Sequence, residues 1–204
     1  SDVVVLVGTE TEVGIRSNLK DGTEWGLDIK YVLQDQPLGL AHCVITAEEH
    51  LRGDSFVMYL GDNLLEGGIS GYAAEFNGGA SNATVLLHQV PEPTEFGVAE
   101  FDTNGLLTKL VEKPAVPPSD WAITGIYFFD EKILEAVHSI KPSGRNELEI
   151  TDAVQWLIDQ GYNVGHMKHK GWWKDTGNPD DLLEANLLVL QTLQREIDSS
   201  AVID

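Results

Sequence analysis

Two short, unbroken apolar runs constrain the fold most: Val3 to Val7, closed by Gly8, and Phe56 to Leu60, closed by Gly61-Asp62-Asn63. A strand with one wet face alternates apolar and polar residues. A run that is apolar throughout expects burial on both faces, as in the interior of an α/β sheet. Around these runs helical and strand-like stretches alternate. Helices are predicted over Thr11 to Lys20, Gly39 to about Leu51 and Ile69 to Phe76, and strands over Leu27 to Gln34 and Ala83 to Val90. That alternation predicts a mostly parallel sheet covered by helices.

The second half changes character. Gly97 to Phe101 and Leu106 to Glu112 flank Asp102-Thr103-Asn104-Gly105, a hairpin signal, and Ala122 to Phe129 is a further apolar strand. Helices near Glu131 to Ser139 and Leu148 to Gln160, then a strand over Asn163 to His169, complete the alternation. A last helix is predicted from Asp180 to about Ile197, with Leu183, Leu187, Leu190, Leu193 and Ile197 at helical spacing.

The 204 residues suit one α/β domain, able to bury roughly 70% of its unfolded-chain surface. The single cysteine, Cys43, excludes a disulfide framework. No apolar run reaches the ~20 residues of a membrane span, and no signal peptide opens the chain, so a cytoplasmic location is expected. The formal net charge of -20 argues against nucleic-acid binding, because 13 basic residues among 33 acids leave no patch for phosphates. Two origins of that charge stay open: adaptation to a salt-rich cytoplasm, or an ordinary acidic protein or fragment.

Several stretches could carry chemistry. Asp62 lies just past the C-terminal end of an apolar strand, where ligands sit in open α/β sheets. Asp175, in Trp172-Trp173-Lys174-Asp175-Thr176-Gly177, could pair with it to hold Mg²⁺, which takes one or two carboxylates plus phosphates and waters. The plain alternative for Asp175 is a helix cap, a role open to Asn178 as well. Gln34 offers a donor and an acceptor to a pyrimidine edge, Pro37 stiffens the following turn, and Gly39 allows close backbone approach. An ordinary strand-to-helix loop is the plainer explanation of this stretch by itself. Glu112 could accept sugar hydroxyls and Lys113 neutralise a phosphate if the strand breaks at Pro114, and Arg145 could grip a phosphate. Solvated ion pairs are the alternative for all three. Zinc has little support, since no third His or Cys completes a tetrahedral set.

Together these stretches resemble the sugar-1-phosphate nucleotidyltransferase family, closest to its glucose-1-phosphate thymidylyltransferase branch. The matching segments are Gln34-x-x-Pro37-x-Gly39-Leu40-Ala41, Leu60-Gly61-Asp62-Asn63, Phe96-Gly97-Val98, Glu112-Lys113-Pro114, Thr124-Gly125-Ile126-Tyr127-Phe128, Arg145-x-Glu147-Leu148-Glu149-Ile150-Thr151-Asp152 and Trp173-x-Asp175-Thr176-Gly177. Seven in family order, across nearly the whole chain, make a specific signal. The resemblance implies a Rossmann-like, mostly parallel mixed sheet flanked by helices. It implies Gln34, Pro37, Gly39 and Asp62 on the nucleotide, Mg²⁺ on Asp62 and Asp175, and catalysis resting on those two acids with Lys113. It implies Gly97, Glu112, Lys113, Thr124, Tyr127, Arg145 and Trp173 around the sugar phosphate. The expected partners are dTTP or UTP and glucose 1-phosphate, with assembly as a homo-oligomer.

One departure stands out. The family's Gly-rich G-x-G-T-R-L loop is absent, and Ser1 to Val7 resembles the family's second strand. The resemblance therefore implies a single nucleotidyltransferase domain over residues 1–204, truncated before its first strand, with 195–204 the possible start of a further region. It also implies that this chain alone is inactive. A non-catalytic sugar-phosphate and nucleotide-binding module is the alternative.

Overall fold

The computed structural model describes residues 2–193. A mixed sheet is built on two long central strands, β5 (Ala83–Gln89) and β8 (Trp121–Phe129). Both are buried along most of their length, because every residue of β8 from Ala122 to Phe129 is shielded on both faces. β8 is antiparallel to β5, to β3 (Phe56–Tyr59) and to β6 (Gly97–Phe101), while β9 (Val164–Lys168) runs parallel to β5 and β7 (Leu107–Glu112) antiparallel to β6. Most strands thus share one direction, yet most ladders are antiparallel, because the reversed β8 lies between them. Strand alternation predicts direction; it does not reveal that one reversed strand is inserted at the centre.

A second, two-stranded sheet joins β1 (Asp2–Gly8) to β2 (Asp28–Gln34) in parallel. Between them runs α1 (Glu12–Leu19), and α2 (Leu40–Leu51) follows. Among the described residues β1 pairs only with β2 and β3 only with β8. These two apolar runs therefore do not hydrogen-bond to each other, and apart from Val7 their residues are half-buried or exposed rather than enclosed.

The main core lies on one face of the sheet, where Val85, Leu87, Tyr127 and Phe129 meet α2, α4 (Lys132–Ser139) and α5 (Ile150–Asp159). Each helix buries a stripe at helical spacing, such as Ile150, Ala153, Val154 and Leu157 on α5. The opposite face packs Leu86, Ile126 and Phe128 against α3 (Ser70–Gly78). The last helix, α6 (Pro179–Thr192), differs from its reading: it turns Ala185 inward, while Leu183, Leu187 and Leu190 are 65%, 58% and 52% exposed. Its apolar spacing is helical, but a small residue forms the contact with the domain. Ile197 and residues 195–204 lie outside the described residues.

Two three-residue strands position the chemistry. β4 (Asn63–Leu65) pairs antiparallel with β10 (Trp173–Asp175), with Asn63 opposite Asp175. Segments 110 residues apart in sequence are thereby placed side by side.

Candidate active site

The site grows from a break in β8. The β5–β8 register slips between Val85 and Leu87, leaving Thr124-Gly125-Ile126 opposite Leu86 in a bulge of the kind found beside active sites. Thr124 offsets the lost ladder bond by donating its hydroxyl to the Leu86 carbonyl at 3.0 Å. Gly125 adopts φ +73°, and a Cβ there would lie 2.8 Å from Leu60 Cδ1. The bulge lets the end of β3 cross close by, with the Leu60 amide donating to the Gly125 carbonyl at 3.1 Å.

Asn63 then joins the two acid-bearing segments. The buried indole Nε1 of Trp173 donates to Asn63 Oδ1 at 2.7 Å and to the Thr124 carbonyl at 3.1 Å. An indole N–H can only donate, so it fixes the Asn63 oxygen toward Trp173 and leaves Nδ2 to donate to Asp62 Oδ1 at 2.8 Å. Thr176 ties the same corner, its amide and hydroxyl donating to the Asp62 carbonyl at 2.8 and 2.6 Å. Asp175 takes the Gly177 amide at 2.9 Å, whereas Asn178 caps α6 by accepting from the Asp181 amide at 3.0 Å. The Asp175 carboxyl is pushed up by its burial and by the nearby negative charge of Asp62. Two acids held close enough to repel suit a divalent cation, and among the described residues no group of three or more His, Cys, Asp or Glu side chains is arranged to hold one.

Beside these acids lies a cleft of about 250 Å³ whose lining includes Gly97, Glu112, Lys113, Thr124, Tyr127, Arg145, Trp173 and Asp175. Lys113 takes φ +41°, an uncommon conformation for a residue with a side chain, as the chain turns out of β7 before Pro114. Its nearest acid among the described residues is Glu95 at 4.0 Å. Arg145 is differently placed. Its guanidinium reaches Glu149 at 2.9 Å, Glu112 at 3.2 Å and Glu147 at 3.6 Å, so three carboxylates share it. Tyr127 stacks on Phe129, and burial pushes its phenol far above the ordinary value.

Gln34, Pro37, Gly39 and Asp62 are not among the cleft's lining residues, although Gly39 and Asp62 directly precede the lining residues Leu40 and Asn63. Gln34 Nε2 lies 2.9 Å from His42 Nδ1, and Cys43 Sγ contacts its carbonyl oxygen at 3.5 Å, so α2 holds the amide. Pro37 is exposed. Gly39 stands at φ +100°, and an added Cβ would meet the Leu148 carbonyl at 2.5 Å. There the turn before α2 bonds to the loop before α5: Ala41 N–H to Leu148 O at 2.9 Å, and Leu148 N–H to Leu38 O at 2.7 Å. Sequence reasoning gave no role to Asn63, Glu149 or Thr151, although all three lie inside matched segments. Their signal was position beside an assigned residue, which does not reveal which way a side chain turns.

A reversed central strand, a bulge opening a cleft, and two acids at its edge make up the candidate site. Residues 1–192 match the Nucleotidyl transferase family, and the chain belongs to it. It is 48% identical over 197 residues to the glucose-1-phosphate thymidylyltransferase of Streptomyces griseus, covering 97% of this chain and 55% of that protein. It is 42% identical to the low-salt glycan biosynthesis nucleotidyltransferase Agl11 of Haloferax volcanii, covering 94% of this chain and 54% of the relative. A crystal structure from Bacillus anthracis, assigned as a glucose-1-phosphate thymidylyltransferase with bound sucrose, superposes with a TM-score of 0.85 at 34% identity, over 95% of this chain and 78% of that one. The chain spans about half the length of the curated relatives it matches.

Proposed function

We propose that this chain is part of an enzyme that transfers a pyrimidine nucleotidyl group to glucose 1-phosphate, giving a nucleoside diphosphate glucose and pyrophosphate, and that the chain alone, lacking the Gly-rich loop, is inactive. The observation that carries the reading is the paired acids Asp62 and Asp175, brought beside a cleft lined by Glu112, Lys113 and Thr124. In the reaction, a phosphate oxygen of the sugar phosphate attacks the α-phosphorus of the triphosphate. The new P–O bond forms as the bond to the β-phosphate oxygen breaks, and pyrophosphate leaves with that electron pair. No protein group needs to bond to the substrate, so the protein's contribution is positioning and charge.

Mg²⁺ held by Asp62 and Asp175 would neutralise charge on the triphosphate. Lys113, with no acid nearer than 4.0 Å among the described residues, is the cleft cation most open to a phosphate. Glu112 accepts sugar hydroxyls beside Gly97, Tyr127 packs under the sugar, and Trp173 walls the cleft through its bonds to Asn63 and Thr124. Gln34, oriented by His42 and Cys43, reads the base edge. The relatives named for thymidylyl transfer support dTTP, while uracil shares the edge Gln34 would read.

A coupled pyrophosphate assay on the full-length gene product, with glucose 1-phosphate, Mg²⁺ and either dTTP or UTP, tests the proposal. Sugar-phosphate-dependent release is expected, faster with dTTP. Binding of both substrates without release would favour the non-catalytic module instead.

A further inference from the structure

The cleft's reading as a sugar-phosphate site assigns hydroxyl recognition to Glu112, but a glutamate on a strand end has free rotors. Recognition of adjacent hydroxyls needs both carboxylate oxygens in fixed places. We propose that Thr151 is the positioning residue that holds Glu112 for the hexose, and that Arg145 works with it as the second fixed donor. The inference rests on that reading of the cleft and adds a residue to it.

The geometry is specific. Thr151 sits in the first turn of α5, 2% exposed, and its hydroxyl donates to Glu112 Oε2 at 2.6 Å. The other oxygen, Oε1, accepts from Arg145 Nη2 at 3.2 Å. Each donor is itself fixed. Thr151 is locked by burial and by the helix. Arg145 is held by Glu149, 5% exposed, which accepts its Nε at 3.2 Å and its Nη2 at 2.9 Å and also takes the Ser143 hydroxyl at 2.7 Å. The guanidinium is thereby committed to carboxylates, which makes it a holder of Glu112 more than a free phosphate ligand.

Gly97 shows how closely this assembly is packed. It lies opposite Glu112 in the β6–β7 register, and a Cβ there would stand 3.1 Å from Thr151 Oγ1 and 3.3 Å from Glu112 Oε2. The absence of a side chain at Gly97 is what lets helix and strand approach until hydroxyl and carboxylate meet. With one donor on each oxygen, the remaining lone pairs of Glu112 are left for the ligand.

The test uses the full-length protein with Thr151→Val, which keeps the side chain's shape and removes its hydroxyl, and Thr151→Ser, which keeps the hydroxyl. Loss of one hydrogen bond to a charged group predicts about a tenfold rise in KM for glucose 1-phosphate in the valine variant. KM for the nucleoside triphosphate should stay within about twofold, and the serine variant should recover most of the loss. A double-mutant cycle with Glu112→Gln should be non-additive, because Thr151 acts through Glu112. An unchanged sugar-phosphate KM in Thr151→Val, or additive effects in the cycle, would overturn the inference. So would a rise in both KM values together with a lower melting temperature, the pattern of a merely structural residue. Binding of inorganic phosphate serves as the separate control. Wild-type protein that prefers glucose 1-phosphate over phosphate upholds the cleft's reading even if Thr151 proves dispensable, and wild-type protein without that preference overturns the reading itself.

Discussion

Asp175 carries a cost to stability that the proposed Mg²⁺ would relieve. Its carboxyl is pushed up by burial and by Asp62, so at neutral pH its charge is held at a cost to the folded state. A carboxylate raised in the folded state destabilises above its folded value, and that cost fades as pH falls through it. Asp175→Asn is therefore expected to raise the melting temperature at pH 7.5 in a chelator and to remove stabilisation by added Mg²⁺. Thermal melts with and without Mg²⁺ check both halves, and a lower melting point in the chelator would contradict the repulsion argument. Asp62→Asn should reduce turnover strongly while leaving the circular dichroism spectrum unchanged. At Gln34, whose amide is already held by His42 and Cys43, replacement by Ala should weaken nucleotide binding by about 1–3 kcal/mol, measured by calorimetry.

Elements, unlike residues, are joined here by their loops. The turn before α2 and the loop before α5 share two backbone hydrogen bonds, and Gly39 is the position that allows it. Gly39→Ala places a Cβ 2.5 Å from a carbonyl oxygen in a conformation that already strains a side-chain-bearing residue. Strained backbone of this kind costs about 1–3 kcal/mol, and the clash adds to it. Urea unfolding should show at least that loss. Behind the cleft, His88 on β5 meets His169 from the turn after β9 and Trp173 from β10, with ring centroids 5.8 Å apart in each pair. Burial pushes the His88 imidazole down, helped by His169, and burial likewise lowers His166. A histidine lowered in the folded state contributes stability that is complete above the ordinary value of 6.5 and lost as pH falls below it. Unfolding free energy should therefore drop between pH 7.5 and 5.5, and His88→Gln should flatten that dependence. Carboxylates raised by burial, such as Asp175 and Asp152, act with the opposite sign.

At the scale of the whole molecule, the net charge of -20 on 204 residues is a self-repulsion that dissolved salt screens. If the acidic surface is adapted to salt, the melting temperature should climb continuously from low salt into the molar range, where the Debye length is about 3 Å. A flat or falling profile in calorimetry would remove that explanation. Among the described residues no helix is long and apolar enough to cross a membrane.

The order of strands and helices was legible because its causes are local: apolar runs such as Phe56 to Tyr59, helical stripes such as Ile150 to Leu157, and glycines between them. The family was legible because its motifs are short and ordered. The pairing of β4 with β10 was not, since three-residue strands carry no periodic signal and their partners lie 110 residues apart. Nor was the reversal of β8, the turning of α6 on Ala185, or the grip of Glu149 on Arg145. Each depends on which surfaces meet after the chain has folded, where packing and charge compensation choose among partners that local sequence leaves equal. Residue types set which atoms could bind a cation, a phosphate or a sugar, and tertiary structure decided which atoms are free to do so.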